Sequence, residues 1–375
     1  MNPTRALHDL GQCLWLDNIT RDLLDRGTLA GYIRDLAVSG LTSNPTIFEQ
    51  ALGGSQAYDD AIGALARQGL AGEDLLFELV LQDLTRAAEL FRPTFDATGG
   101  VEGWVSLEVS PVLAHDAVGT AQAAARLHAR AACPNLFIKI PGTAEGLKAI
   151  EESIFAGIPV NVTLLFSRAQ CLAASTAYLR GIERRMASGL DPGIASVASM
   201  FVSRWDVATQ ALLPGPLQNR LGIAVATQAY RSHIRLLASA RWRRLAEAGA
   251  RPQRLLWAST GTKDPAAPDT LYVDSLVARD TINTMPERTL LAFADHGKPG
   301  PALTLAGGDM DEVLAGCHTA GFDCDAFAAR LQHDGADAFV ASWQKLLARF
   351  SGKVDELAPV GARRVRAAPA PRAAP

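Results

Sequence analysis

Apolar residues fall along this chain in two alternating rhythms. The short runs are CLWLDNI (13–19), VSGLTSN (38–44), WVSLEVS (104–110), NLFIKIP (135–141), PVNVTLLF (159–166), SVASMFV (196–202) and RLLWAST (254–260), with a weaker one near DTINTMP (280–286). Their length and bounding turn residues are those of strands. Between them, segments such as TRDLLDRGTLAGYIRDLAV, EDLLFELVLQDLTRAAELF and RAQCLAASTAYLRGIERRMA repeat apolar residues at three- and four-residue spacing, which predicts amphipathic helices. Strands alternating with helices imply an α/β class with a parallel sheet, and eight such units predict a closed (β/α)8 TIM barrel. An open doubly wound sheet is the second choice, weakened because no glycine-rich dinucleotide loop follows the first strand. Residues 214–253 read as an enlarged crossover, and beyond about residue 300 the pattern is helical only, which predicts additional C-terminal helices outside the barrel. The expected organisation is one domain over residues 1–350, followed by an Ala/Pro/Arg-rich tail, 351–375, expected to be disordered.

Polar residues inside the short runs share a phase. Side chains alternate across a strand, so residues two apart face the same way. Thr42 and Asn44 share a face, as do Ser106 and Glu108, and Asn161 and Thr163; Asp17 goes with Trp15, and Lys139 with Phe137. Leu14, Leu16, Val105, Leu107, Leu136, Ile138, Val160 and Val162 take the opposite phase, suited to lying beneath helices. Each polar set also comes late in its run. In a parallel barrel the late ends form the rim where enzymes of this architecture place their sites. Asp17, Asn44, Glu108, Lys139 and Thr163 are thus expected to converge on one cavity. A single Thr or Asn in such a place is more often satisfied by local hydrogen bonds. Two carboxylates and a lysine in one phase are another matter, because buried charges are uncommon unless paired or functional.

Lys139 has three readings: it snorkels to solvent, forms a structural ion pair with Asp17 or Glu108, or serves as a nucleophile. Burial favours a neutral amine and nearby carboxylates favour an ammonium, so the sequence leaves the protonation state open. A neutral amine can attack a carbonyl and form a Schiff base, and two carboxylates can handle the proton transfers. Imine chemistry on a carbonyl substrate is the resulting expectation.

Composition narrows the partners. A formal net charge of −3 gives no general attraction for nucleic acid or an anionic membrane. Cys13, Cys133, Cys171, Cys317 and Cys324 are odd in number and contain no CxxC pair, which suits reduced thiols in a cytoplasmic protein. The opening MNPTRALHDLGQ lacks the apolar stretch of a signal peptide, and no apolar run is long enough to span a bilayer. The seven histidines show no HxH or HExxH pairing, so no metal is expected; His115 follows the third run and could line a rim.

The segments LWLDNI, GLTSNPTIF, WVSLEVSP, FIKIPGTAEGLKAI and GIPVNVTLLFS, in this order, resemble the transaldolases, with SLEVSP and IKIPGTAEG the most specific. The resemblance covers about residues 13–210, and more weakly runs to about 350. It implies a cofactor-free barrel enzyme that moves a three-carbon dihydroxyacetone unit between sugar phosphates in the pentose phosphate pathway. On this resemblance Lys139 is the Schiff-base nucleophile, and Asp17 takes the proton from the substrate C4 hydroxyl. Glu108 with Thr163 holds the water that shuttles protons, and Thr42, Asn44, Ser106 and Asn161 orient the dihydroxyacetone hydroxyls. In SVASMFVSRWD, Ser199 and Arg204 match the family's phosphate-binding serine and arginine.

One departure stands out. The family commonly carries an arginine just after the seventh strand, whereas here the stretch is LLWASTGTKDP; Lys263, or the amides around Ser259–Thr262, are the candidate replacements. Three rival readings remain open at this stage: a related class I aldolase that releases free dihydroxyacetone, a barrel isomerase using Glu108 without a covalent intermediate, and a catalytically inactive phosphosugar-binding barrel. Sugar phosphates are the expected partners, with no nucleic acid and no membrane, for a monomer or homodimer.

Overall fold

Eight parallel strands close on themselves in sequence order: β1 (Cys13–Asp17), β2 (Val38–Thr42), β3 (Trp104–Glu108), β4 (Leu136–Pro141), β5 (Val160–Leu165), β6 (Ser196–Phe201), β7 (Arg254–Ala258) and β8 (Ile282–Met285). β1 pairs with both β2 and β8, which completes the barrel. The computed structural model describes residues 2–53, 55–306 and 309–357. Every short run named above contains one strand, the weak one near residue 280 included.

The register turns the phase argument into contacts. Neighbouring strands align Asp17 with Thr42, Glu108 with Lys139, Lys139 with Asn161, and Pro141 with Thr163. Paired residues in a parallel sheet face the same side, so the polar set shares the barrel interior. Deeper in the barrel the same phase carries aromatics: Trp104 stacks on Phe137 at 4.1 Å between ring centroids, and Trp15 lies 6.1 Å from Phe137. Gly40 makes room for this floor, since a Cβ there would come within 2.4 Å of the Trp15 indole nitrogen. The opposite phase, Leu14, Leu16, Val105, Leu107, Leu136, Ile138, Val160 and Val162, is fully buried, as expected for the helix-facing side.

The enlarged crossover after β6 holds the helices Ser203–Thr209, Leu221–Leu237 and Ala240–Glu247. Asp206 ties this region together: Tyr272 donates its hydroxyl proton to one carboxylate oxygen at 2.8 Å, and the Gly222 amide donates to the other at 3.3 Å. Burial pushes the Asp206 carboxyl up to about 6, against those hydrogen bonds, which favour the ion. Folding therefore favours the protonated acid. The stabilisation is complete below the unfolded carboxylate range, near pH ~4, and is lost as pH rises through about 6. Between about pH 4 and pH 7 this group is expected to remove on the order of 3 kcal/mol of stability from the wild type. Asp206→Asn cannot ionise, so denaturant unfolding of that variant should lack this part of the pH slope. Parallel slopes in the two proteins would contradict the assignment.

Two expectations about the C-terminal region need correction. The last helix, Cys324–Leu357, does not merely pack outside the barrel; it crosses the carboxyl-end rim. Gln332 Nε2 donates to the carbonyls of Gly142 and Leu164, at 3.0 and 2.8 Å, just past the Lys139 and Thr163 positions. Farther along, Thr46 donates to Ser342 and the Trp343 indole to Glu73. The expected boundary of the disordered tail at 351 is also too early, because 351–357 continues the helix. Phe350 is buried, Val354 packs on the core, and Lys353 pairs with Asp59 while donating to the Ser55 carbonyl. The rest of that tail, 358–375, lies outside the described residues.

Candidate active site

At the carboxyl end of the barrel, the strand ends and their loops surround a cavity of about 630 Å3. Lys139 reaches it from β4 and is only 5% exposed, which removes the snorkelling reading. Its amine lies 3.3 Å from Glu108 Oε2 and donates to the Ser43 carbonyl at 3.2 Å. The IKIPGTAEG stretch explains itself locally. Thr143 caps the helix Ala144–Phe155 by accepting from the Gly146 amide, and its own hydroxyl donates to the Ala114 carbonyl. A Cβ at Gly146 would lie 1.9 Å from the Pro141 carbonyl oxygen, so the helix can start this close to the strand end only with glycine there.

Glu108 shares the lysine's face but is not on the cavity wall; it stands behind the amine, 5% exposed. Burial pushes its carboxyl above the usual range, and the Lys139 and Arg204 charges oppose that push. Apart from the ion pair, neither Glu108 oxygen has a hydrogen-bond partner among the described residues, and neither does Thr163 Oγ1. Thr163 does line the cavity and is fully buried. Unsatisfied buried oxygens of this kind are costly unless something else bonds to them.

Asp17, half-buried on the cavity wall, is held by a directional relay. Thr42 donates its hydroxyl proton to Asp17 Oδ1 at 2.7 Å, and the Thr42 and Thr284 hydroxyl oxygens are 2.8 Å apart. Thr42 has one hydroxyl proton, so Thr284 must donate to Thr42. Across the barrel Ser199 donates to Asn161 Oδ1 at 2.7 Å, and Asn161 Nδ2 donates to Ser106 Oγ at 3.1 Å. Ser199 lines the cavity, whereas Asn161 and Ser106 lie deeper, at 0% exposure. Asn44 is on the wall and also caps the helix Pro45–Gly53, accepting from the Ile47 amide.

The cations sit toward the mouth. Arg204, in the helix Ser203–Thr209, has its guanidinium 5.3 Å from the Phe201 ring and 5.7 Å from the Phe339 ring, and forms no ion pair among the described residues. Burial lowers its pKa from the ordinary value, while the Glu108 and Asp17 charges raise it. Lys263 is at the cavity edge, and its pKa is lowered by partial burial and then by the charge of Arg288. Arg288 is anchored by a 2.9 Å hydrogen bond to the Thr262 carbonyl. Arg204 and Lys263 on the cavity wall, with the charge of Arg288 near Lys263, suit an anionic ligand. The loop after β7 is fixed: Ser259 adopts a left-handed φ of 57°, and its carbonyl accepts from the Ser203 amide at 3.0 Å.

The structure thus brings together on the wall Asp17, Thr42, Asn44, Lys139, Thr163, Ser199, Arg204 and Lys263 from the sequence expectation, with Glu108, Ser106 and Asn161 one layer behind. It adds Phe201, Thr284 and Phe339. Thr284 and Phe201 follow the same late-strand phase and were within reach of that rule. Phe339 comes from a helix some 200 residues after Lys139, and the strand pattern carries no sign of it. His115 is instead on the surface, 3.4 Å from Glu145. Among the described residues, no group of three or more His, Cys, Asp or Glu side chains could hold a metal ion, and no helix is long and apolar enough to cross a membrane.

Comparison with known proteins points the same way. The family model described as Transaldolase/Fructose-6-phosphate aldolase matches residues 14–350. A transaldolase of Thiobacillus denitrificans is 46% identical over 358 residues, covering 93% of this chain and all of the relative. One from Neisseria gonorrhoeae is 45% identical, covering 90% and 97% of the two chains. Another, from Acidothermus cellulolyticus, is 44% identical over 94% of this chain and 97% of its own.

Proposed function

The chain belongs to the transaldolase/fructose-6-phosphate aldolase family, and from that premise we propose that its rim cavity transfers a dihydroxyacetone unit between sugar phosphates through a Schiff base on Lys139. The reaction converts sedoheptulose 7-phosphate and glyceraldehyde 3-phosphate to erythrose 4-phosphate and fructose 6-phosphate, in the pentose phosphate pathway. One observation carries the reading: a buried amine, paired at 3.3 Å with a carboxylate whose own pKa is raised, opens on the same cavity as a second, separately held carboxylate.

The roles follow from that arrangement. Glu108 prefers its protonated form more than an exposed glutamate does. It is therefore suited to take the proton that the Lys139 ammonium must lose before attacking the ketose carbonyl. Water held between Glu108 and Thr163, whose oxygens have bonding capacity to spare, would carry protons to and from the carbinolamine. Once the imine has formed, Asp17 takes the C4 hydroxyl proton, the C3–C4 bond breaks into the protonated imine, and the aldose phosphate leaves. The resulting enamine then attacks the second aldehyde. Thr42, Asn44, Ser106 and Asn161 would orient the dihydroxyacetone hydroxyls, while Arg204, Lys263 and Ser199 are the phosphate candidates. No step calls for a cofactor. We further assign the protein to the cytoplasm, in keeping with five free cysteines, as a monomer or homodimer.

The reading is tested by supplying fructose 6-phosphate with and without erythrose 4-phosphate. Sedoheptulose 7-phosphate should form only when the acceptor is present. Free dihydroxyacetone released at the same rate in both cases would make the protein an aldolase instead. A second expectation concerns the mouth. Arg204→Ala should mainly raise KM for phosphorylated substrates, by roughly tenfold to a hundredfold or more, the effect of about 1.5–3 kcal/mol for a charge-assisted contact. Lys263→Ala should act in the same direction but less, because a lysine is a point charge without a planar fork. Equal losses on phosphorylated and unphosphorylated acceptors would remove both from the phosphate site.

A further inference from the structure

We propose that Phe339, carried across the barrel mouth by the C-terminal helix, commits the three-carbon enamine to an aldehyde acceptor and keeps it from water. The inference rests on the Schiff-base reading above and adds to it a residue that decides the fate of the intermediate.

Three observations support it. The Phe339 ring is on the cavity wall, 4% exposed, with its face 5.8 Å from Lys139 Nζ and 5.7 Å from the Arg204 guanidinium. It therefore borders both the nucleophile and the phosphate candidate, the two groups a bound sugar phosphate must span. The ring is also held: Gln332, about two turns earlier in the same helix, bonds to the carbonyls of Gly142, just after β4, and Leu164, near the end of β5, and Trp343, one turn later, bonds to Glu73. Glu73 in turn accepts from Ser110 beyond β3. Finally, Gly335 brings the helix backbone in close, since a Cβ there would lie 3.1 Å from Leu164 and 3.5 Å from Arg204. The helix is thus clamped to the strand ends that supply Glu108, Lys139 and Thr163.

The chemistry explains what such a wall does. In transfer, the enamine carbon gives its electron pair to the acceptor carbonyl carbon, and the acceptor oxygen takes the proton held by Asp17. In the leak, the same carbon takes a proton instead. Water then adds to the resulting iminium, the Lys139 amine leaves, and free dihydroxyacetone is released. Both routes begin from one intermediate, so their ratio depends on how much water reaches it while the acceptor is absent. An aromatic ring beside the Lys139 nitrogen excludes that water.

The experiment measures dihydroxyacetone released from fructose 6-phosphate alone, divided by transfer to erythrose 4-phosphate. Phe339→Ala should raise this ratio by at least about tenfold, with Lys139 still trapped by borohydride. Phe339→Leu keeps the bulk and should stay near wild type. Gln332→Ala, which loosens the helix without touching the cavity wall, should shift the ratio in the Ala direction and serves as the test if Phe339→Ala does not fold. An unchanged ratio in both Phe339→Ala and Gln332→Ala, or equal rises in the Ala and Leu variants, would overturn the proposal. Failure to trap Lys139 in the wild type would instead strike the Schiff-base reading on which it rests.

Discussion

Lys139→Arg should yield a folded protein whose transfer activity is lower by roughly ten-thousandfold or more, the scale seen when a covalent nucleophile is removed. The guanidinium stays protonated at any working pH and cannot attack a carbonyl. Arginine is the informative replacement because Glu108 is buried beside the amine. Removing the positive charge altogether would leave that carboxylate unpaired, and breaking a buried pair in this way costs about 3–5 kcal/mol. An inactive alanine variant could then be inactive because it is misfolded. With arginine, a thermal melt close to wild type together with abolished turnover separates chemistry from stability. Appreciable activity in Lys139→Arg would mean that another group forms the imine or that none forms.

Asp17→Asn is expected to show the second-largest effect, of a different kind. The carboxamide oxygen can still accept the Thr42 hydroxyl, so the relay from Thr284 through Thr42 survives. What is lost is the base that takes the C4 hydroxyl proton. Turnover should fall by roughly a hundredfold to ten-thousandfold, the usual contribution of a positioned acid or base. Imine formation relies on Lys139 and Glu108, on the far side of the amine, and should continue. The variant should therefore accumulate the ketose imine, so that borohydride with fructose 6-phosphate labels it with the whole six-carbon sugar phosphate. If trapping and turnover vanish together, Asp17 acts before cleavage and its assignment is wrong.

The strands make clear how much of this was legible in the sequence. Side chains alternate along a regular strand, so the phase of Asp17, Glu108, Lys139 and Thr163 could be read from the sequence, and the register places them on one face although it shifts once between β1 and β2 and once between β5 and β6. Phase does not give depth. Ser106, Glu108 and Asn161 share the face of Lys139 yet lie behind the cavity wall, because a tilted barrel staggers its strands and sinks some late positions below the rim. Helices give less away. The apolar stripe of Cys324–Leu357 announces that the helix packs on something, but not that it lies over the mouth with Phe339 facing Lys139. Contacts between distant segments give least: Arg288, in the first turn of the helix after β8, comes near Lys263 only because the β7 and β8 ends fold against each other. That contact also bears on the missing arginine after β7, because Arg288 supplies a guanidinium near Lys263 from the first turn of the helix Glu287–His296.

The central claim is that Lys139 forms the covalent intermediate, and one measurement addresses it directly. The wild-type protein is reduced with borohydride in the presence of fructose 6-phosphate, digested and mapped by mass spectrometry. The account predicts a single modified lysine, Lys139, carrying a reduced dihydroxyacetone unit, with no label when the sugar phosphate is omitted. A label on any other lysine, or turnover of fructose 6-phosphate with no trapped adduct, would contradict it.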